Sequence, residues 1–442
     1  MKIFFFTFFV SVSVYSAVYS QSINSKKLDS LFNTLQSHRL ATGSVAISVN
    51  GKTLYKRAIG FAMLDNNKEI AANANTKYRV GSTSKMFTSA IIFQLIDERK
   101  LKLDTKLATW FPQLPNANKI TIREMLYHRS GLHDYTHDTN FPDWMDKSKT
   151  HEEMLQIIAG KGSDFEPGTK ADYCNSNYLL LSYIIEKITK TSYAEALEKR
   201  ITSKIGLKNT YYGRPIDISR NEAASYKYSD STWKKEKETN PGIHCGAGSI
   251  VSTPNDLTSF IQNLFNGKLI SRASLDSMLT MIDDYGMGIF PYNFDTTKGY
   301  GHNGRIEEFY SATRYFPAKK LAVSYITNGI LYPRTDILNG ILKICFNDDY
   351  SIPFTNPGAL QTSNFDNYIG TYSSGSLPFK VICRKENGKL FFDAAGRTME
   401  ADRVSPDYFM NLKTGTFFEF NTEKGELQIK ETDNVYYLQK EK

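Results

Sequence analysis

After its first twenty residues the chain has no apolar run approaching the ~20 residues that a membrane helix needs. It has only four cysteines in 442 residues. A chain of that length buries a core without covalent staples, so a disulfide framework is excluded as its organising principle. No fixed-period repeat recurs, which removes solenoids and propellers. Hydrophobic residues at 41 % and charged residues at 23 %, with 28 Gly and 14 Pro, exclude disorder, collagen and coiled coils. The formal charge is 54 − 46 = +8. That excess is scattered along the chain, so no nucleic-acid partner is expected.

The first residues read Met1-Lys2-Ile3-Phe4-Phe5-Phe6, and Ser11, Ser13 and Ser16 break the apolar stretch that follows. Val18 and Ser20 stand three and one residues before Gln21, the pattern of a signal-peptidase site. Residues 1–20 therefore read as a removed secretory signal. The mature protein is expected to be secreted or periplasmic, with no integral membrane segment. Export permits disulfides. Cys174, Cys245, Cys345 and Cys383 allow three pairings, and free thiols are an equal alternative. No familiar thiol-nucleophile motif surrounds any of them.

Leu28, Leu31, Phe32 and Leu35 fall on one helical face. Val45, Ile47 and Val49 then alternate ahead of Asn50-Gly51, the dipeptide of a type I′ hairpin turn. Residues 84–97 and 178–188 have helical length and apolar character, and Leu321 to Ile326 reads as a nearly buried strand. These elements imply an α/β (α+β) body whose sheet is assembled from both ends. Near residue 350 the pattern changes. Pro353, Pro357 and Gly358 punctuate a polar stretch, and short strands follow, including a second Asn387-Gly388 hairpin. From residue 356 onward 11 basic and 12 acidic residues give 11 − 12 = −1, so the basic excess lies in the first domain.

Ser82-Thr83-Ser84-Lys85 opens the helical run at 84. Residues i and i+3 share a helix face, which sets the Lys85 amine beside the Ser82 hydroxyl. A serine hydroxyl needs such a base to become a nucleophile, and the helix start offers N–H groups to an oxyanion. A second match, Ser231-Thr232-Trp233-Lys234, sits among polar residues and reads as a solvated loop. Tyr173-Cys174-Asn175 is the only Tyr-x-Asn in a chain with 27 Tyr. Taken alone it reads as a core tyrosine beside a helix-capping asparagine. Tyr300-Gly301-His302-Asn303-Gly304 reads alone as a turn before a strand. His133 and His137 have a zinc-compatible i, i+4 spacing. They follow the loop signal Ser130-Gly131-Leu132 and no third ligand accompanies them, so no metal and no cofactor are called for.

In this order, the three motifs resemble those of the serine β-lactamase and penicillin-binding peptidase superfamily. The branch is that of class C β-lactamases, D-alanyl-D-alanine carboxypeptidases, D-aminopeptidases and family VIII esterases. Supporting stretches are Tyr78-Arg79-Val80-Gly81, Met125 to Leu132, Gly246 to Thr253 and Ile326-Thr327-Asn328. The resemblance implies a class C β-lactamase-like antiparallel sheet flanked by helices, with an all-helical lobe, over residues 21–350. It further implies a linker at 351–359 and a small lipocalin-like antiparallel β domain at 360–442. Ser82 would be the nucleophile, Lys85 its base or the group that orients the base, and Tyr173 the proton donor to the leaving group. Asn175 would bind the acyl-side amide of the substrate. His302 stands where class C enzymes usually have Lys and peptidases of the branch often have His. The backbone N–H groups of Ser82 and Arg305, with Gly304 between His302 and Arg305, would form the oxyanion hole. Arg305 and Glu308 replace small residues common in relatives, and Arg305 would either recognise a substrate carboxylate or pair with Glu307 or Glu308. The implied substrate is a peptidoglycan-type peptide, another D-amino acid peptide or a β-lactam. An ester, and a non-catalytic binder of wall fragments, are the alternatives.

Overall fold

In the computed structural model, residues 23–65, 68–229, 231–354, 365–432 and 434–441 are described. The expected signal segment lies outside them, as does part of the expected linker.

The helix Ser25–Ser37 buries Leu28, Leu31, Phe32 and Leu35, the face its sequence marks. The hairpin Ala41–Val49/Lys52–Ile59 follows, and Asn50 (φ 51°) and Gly51 (φ 81°) supply the two positive φ values of a type I′ turn. The strand Ala41–Val49 pairs antiparallel with Leu321–Ile330, from Ala41 opposite Ile330 to Val49 opposite Leu321. This pairing joins the two ends of the domain. Across the six-stranded sheet the order is 290–291, 300–306, 309–316, 321–330, 41–49, 52–59. Helices Ser25–Ser37 and Arg334–Phe346 share an apolar cluster with the sheet, and helix Pro254–Phe265 packs against its central strands. Covered in this way, Phe309–Phe316 and Leu321–Ile330 are buried along their whole length, which is why 321–326 reads as one apolar run rather than an alternation.

The intervening chain forms a helical lobe. Helix Ser84–Asp97 is buried from Ser84 to Leu95, as befits a helix apolar on every side. Helix Asn175–Thr189 lies beside it. No helix among the described residues is long and apolar enough to cross a membrane. Strand Thr232–Lys235 pairs with Tyr226–Ser229, so the second Ser-x-x-Lys lies in a hairpin rather than a loop. Trp233 stacks edge-on against Phe61 and Tyr228, an apolar anchor that the surrounding charges obscure.

The C-terminal strands close into an eight-stranded barrel in sequential order, from Gly370–Ser373 to Val435–Lys440. Asn387 (φ 49°) and Gly388 (φ 76°) make its predicted hairpin turn. Its interior is filled by side chains, with Phe392 and Phe418 stacked at 3.6 Å. Tyr408 and Phe417 pack with Tyr332 of the first domain, and Lys430 pairs with Asp336 at 3.0 Å.

Cys174, Cys245 and Cys383 are buried free thiols. Burial pushes each up to about 12, far from the thiolate that a cysteine nucleophile requires.

Candidate active site

Ser82 sits in the 3₁₀ turn Gly81–Thr83, immediately before helix Ser84–Asp97. Strand Tyr78–Arg79 pairs with Ile250–Ser252 and delivers the chain into this turn. The Ser311 hydroxyl, from the large sheet, donates to Val80 O at 2.7 Å and lies 2.7 Å from Thr83 Oγ1. Two glycines allow the close approach. Gly81 adopts φ +51°, and a Cβ there would lie 2.6 Å from Arg305 O and 2.8 Å from Arg305 N. A Cβ on Gly304 would lie 1.9 Å from Val80 O. The Arg305 peptide is thereby held against the turn that carries Ser82.

The Lys85 amine is fully buried and contacts three oxygens: Ser82 Oγ at 3.0 Å, Asn175 Oδ1 at 2.8 Å and Ala247 O at 2.8 Å. Burial pulls its pKa from 10.5 down to about 7, against an opposing pull from Asp134. The amine is thus close to half-neutral at physiological pH. Two of the three partners, an amide oxygen and a peptide carbonyl, can only accept. A neutral amine must give its two hydrogens to them, which leaves its lone pair for the Ser82 hydroxyl. The geometry thus directs the lone pair of a neutral Lys85 at the Ser82 hydroxyl.

Asn175 is fixed from behind by Asp134, a 3 % exposed carboxylate. Asp134 accepts from the Asn175 backbone at 2.8 Å and from its Nδ2 at 3.0 Å. Nδ2 also donates to Thr136 Oγ1 at 3.2 Å. Both amide hydrogens of Asn175 are therefore engaged within the protein, and its direct contact is with Lys85.

Tyr173 arches over the amine, its ring centroid 4.8 Å from Lys85 Nζ. Its hydroxyl is buried without a hydrogen-bond partner. Burial holds its pKa well above 10, with the adjacent Ser82 hydroxyl pulling the other way, so it remains a proton donor. His128 stacks on the Tyr173 ring at 4.3 Å and accepts the Cys174 N–H at 2.9 Å. His302 faces the same region, its ring 6.5 Å from that of Tyr173. Its Nδ1 donates to the Asn303 carbonyl, which cannot donate back, so Nε2 carries the lone pair; that atom is buried and without a partner. Burial first, and Lys85 second, lower its pKa to about 3. His302 is therefore a neutral acceptor, where a Lys would be a cationic donor.

The Arg305 side chain is half exposed and pairs with Glu308 at 3.4 Å. Glu307 turns inward and pairs with buried Arg79 at 3.0 Å. A cavity of about 620 Å³ opens beside Ser82, with Asn175, Thr136, Phe141, His244, Gly248 and Arg305 in its wall. His133, by contrast, places its two ring nitrogens against Asp164 and Asp138, each at 3.1 Å. Among the described residues no group of three or more His, Cys, Asp or Glu is arranged to hold a metal.

Sequence reasoning missed Asp134, His128, Arg79 with Glu307, and His244. Asp134 lay inside the stretch read for zinc spacing, and His128 inside one of the supporting motifs. No local signal marks His244.

The Beta-lactamase family model matches residues 28–339. Penicillin-binding protein 4* of Bacillus subtilis is 28 % identical over 84 % of this chain and 88 % of its own length. Teichoic acid D-alanine hydrolase of Staphylococcus aureus is 28 % identical over 56 % of the chain, which spans only 59 % of that protein. Among solved structures, D-amino acid amidase from Ochrobactrum anthropi SV3 superimposes with TM-score 0.64 at 24 % identity, over 73 % of this chain and 99 % of that one. The octameric penicillin-binding protein homologue from Pyrococcus abyssi gives 0.67 at 20 % identity, over 94 % and 99 %. With the family model spanning most of the chain, this protein belongs to the β-lactamase family and is a serine hydrolase of the β-lactamase/D,D-peptidase type.

Proposed function

We propose that the enzyme is exported and hydrolyses an amide whose acyl half is a D-amino acid or D-amino acid peptide, through an acyl-enzyme on Ser82. The observation that carries this reading is the forced orientation of the Lys85 lone pair toward the Ser82 hydroxyl. Lys85 takes the Ser82 proton as Oγ attacks the carbonyl carbon. The backbone N–H groups of Ser82 and Arg305 receive the oxyanion, a contribution worth about 3–4 kcal/mol per donor in comparable sites. The Tyr173 phenol protonates the departing nitrogen, and water then releases the acyl group. His302 Nε2, buried and unpartnered beside Tyr173, accepts a hydrogen bond from the leaving group or from water. Arg305 is proposed to act through its peptide N–H, since its guanidinium pairs with Glu308.

The relatives named for D-amino acid amides and for teichoic acid D-alanine support a D-aminoacyl substrate. The second of them favours an ester as a further substrate of the same site. A β-lactam would acylate Ser82 by the same chemistry.

The test is intact-mass analysis after exposure to a labelled penicillin and to a fluorophosphonate, on wild type and on Ser82→Ala. Parallel assays follow D-Ala-D-Ala peptides and p-nitrophenyl esters. A Ser82-dependent adduct with peptide turnover is expected. No reaction with any acyl probe would sink the proposal.

A further inference from the structure

His244 lies in the cavity wall, outside the Ser82, Lys85, Tyr173 constellation. Its Nδ1 is 2.9 Å from the Tyr135 hydroxyl, and that hydroxyl also donates to Ile243 O at 2.8 Å. A tyrosine has one hydroxyl hydrogen, and a carbonyl only accepts. The hydrogen therefore goes to Ile243, His244 Nδ1 must donate to the phenol oxygen, and Nε2 is left with the lone pair. Burial first, and Lys85 second, bring the His244 pKa down to about 4, so the ring is neutral near pH 7.

The position of this acceptor follows from two further observations. Tyr173 and His302 do not belong to the cavity wall, whereas Ser82, Thr136, Phe141 and Gly248 do. If Tyr173 protonates the leaving group, the cavity receives the acyl half. Gly248, moreover, has no side chain to fill the gap between the His244 ring and the nucleophile turn. A Cβ there would lie 3.3 Å from His244 Cβ and 3.8 Å from Gly81 C.

We propose that His244 determines specificity: its Nε2 accepts a hydrogen bond from the amino nitrogen of an aminoacyl group carried on Ser82. The inference rests on the hydrolase reading above and deepens it by naming the chemistry of the acyl half. A donor-bearing α-substituent satisfies Nε2, whereas a plain acyl chain occupies the cavity beside it and leaves it unpaired.

The experiment compares D-alanyl-p-nitroanilide with propionyl-p-nitroanilide, which lacks only the amino group. Wild type should prefer the D-alanyl compound by about 10-fold or more in kcat/KM, the scale of a hydrogen bond lost when substrate fills the cavity and keeps water from the ring. His244→Phe should lower kcat/KM on D-alanyl-p-nitroanilide by about 10-fold or more, and on the propionyl compound by less than about threefold. His244→Met, also without a ring nitrogen, carries the same expectation should the Phe variant fail to fold. His244→Gln, which offers an acceptor oxygen, should recover part of the preference. Equal losses on both substrates, or a wild type indifferent to the amino group, would overturn the inference while leaving the hydrolase reading intact. A wild type that is unlabelled at Ser82 and cleaves neither anilide would remove both together.

Discussion

The amide oxygen of Asn175 lies 2.8 Å from the Lys85 amine, and Asp134 prevents that amide from turning round. Were it flipped, Nδ2 would face the amine and compete for its lone pair. Asp134 also raises the Lys85 pKa against the effect of burial.

Asp134→Asn removes that charge and should lower the pKa of Lys85. In wild type, kcat/KM should rise with pH through about 7 as the amine becomes neutral. In the variant the midpoint should move to lower pH by about one unit, with a reduced plateau from the less firmly held Asn175. A pH–rate profile checks this; a midpoint that stays or rises would contradict the role given to Asp134.

Lys85 weakens the fold that it serves. Its pKa is 10.5 in the unfolded chain and about 7 in the folded one, so the folded state binds fewer protons between those values. The resulting destabilisation is greatest below about pH 7 and fades as pH rises toward 10.5. At about 1.4 kcal/mol per pKa unit it amounts to about 4–5 kcal/mol, reduced by the hydrogen bonds the amine makes. Lys85→Met should therefore abolish acylation yet raise stability by about 1–3 kcal/mol at pH 6. Denaturant titrations should show the gap to wild type narrowing by pH 10.

Tyr173→Phe keeps the ring that His128 stacks against and removes only the hydroxyl proposed to act as the acid. Amide hydrolysis should fall about 10²–10⁴-fold. A p-nitrophenyl ester, whose leaving group departs without protonation, should lose far less. Equal losses in kcat/KM on the two substrate types would show that Tyr173 does not act on the leaving group.

Gly304→Ala places a methyl group 1.9 Å from Val80 O and 2.9 Å from Thr83 N, both backbone atoms. The strand must move away from the turn that carries Ser82, at a cost of about 1–3 kcal/mol in stability. Activity should fall by more than about 100-fold, because a misplacement of about 1 Å at the reacting atoms has that consequence. A melting temperature lowered only modestly, with kcat/KM collapsed, is the expected pattern.

Much of this was legible in the sequence because the deciding interactions are local. The hairpins at Asn50-Gly51 and Asn387-Gly388 depend on two φ values each, and Ser82 meets Lys85 because a helical turn joins them. The amphipathic face of the first helix was equally plain. The hairpin holding Ser231 and Lys234 was not. Its strands are fixed by Trp233 reaching Phe61, a contact 172 residues away in sequence (233 − 61).

The sequence by itself determined the pairing of Ser82 with the neighbouring Lys85 amine and the alternation of sheet and helix, since periodicity and turn chemistry act over a few residues. Only the tertiary structure decided what those groups become. Burial brings the Lys85 pKa toward neutrality, Asp134 orients Asn175, and Tyr135 leaves His244 with its lone pair on Nε2. Desolvation and hydrogen-bond direction are properties of a packed interior, assembled from segments far apart along the chain, and no local pattern encodes them.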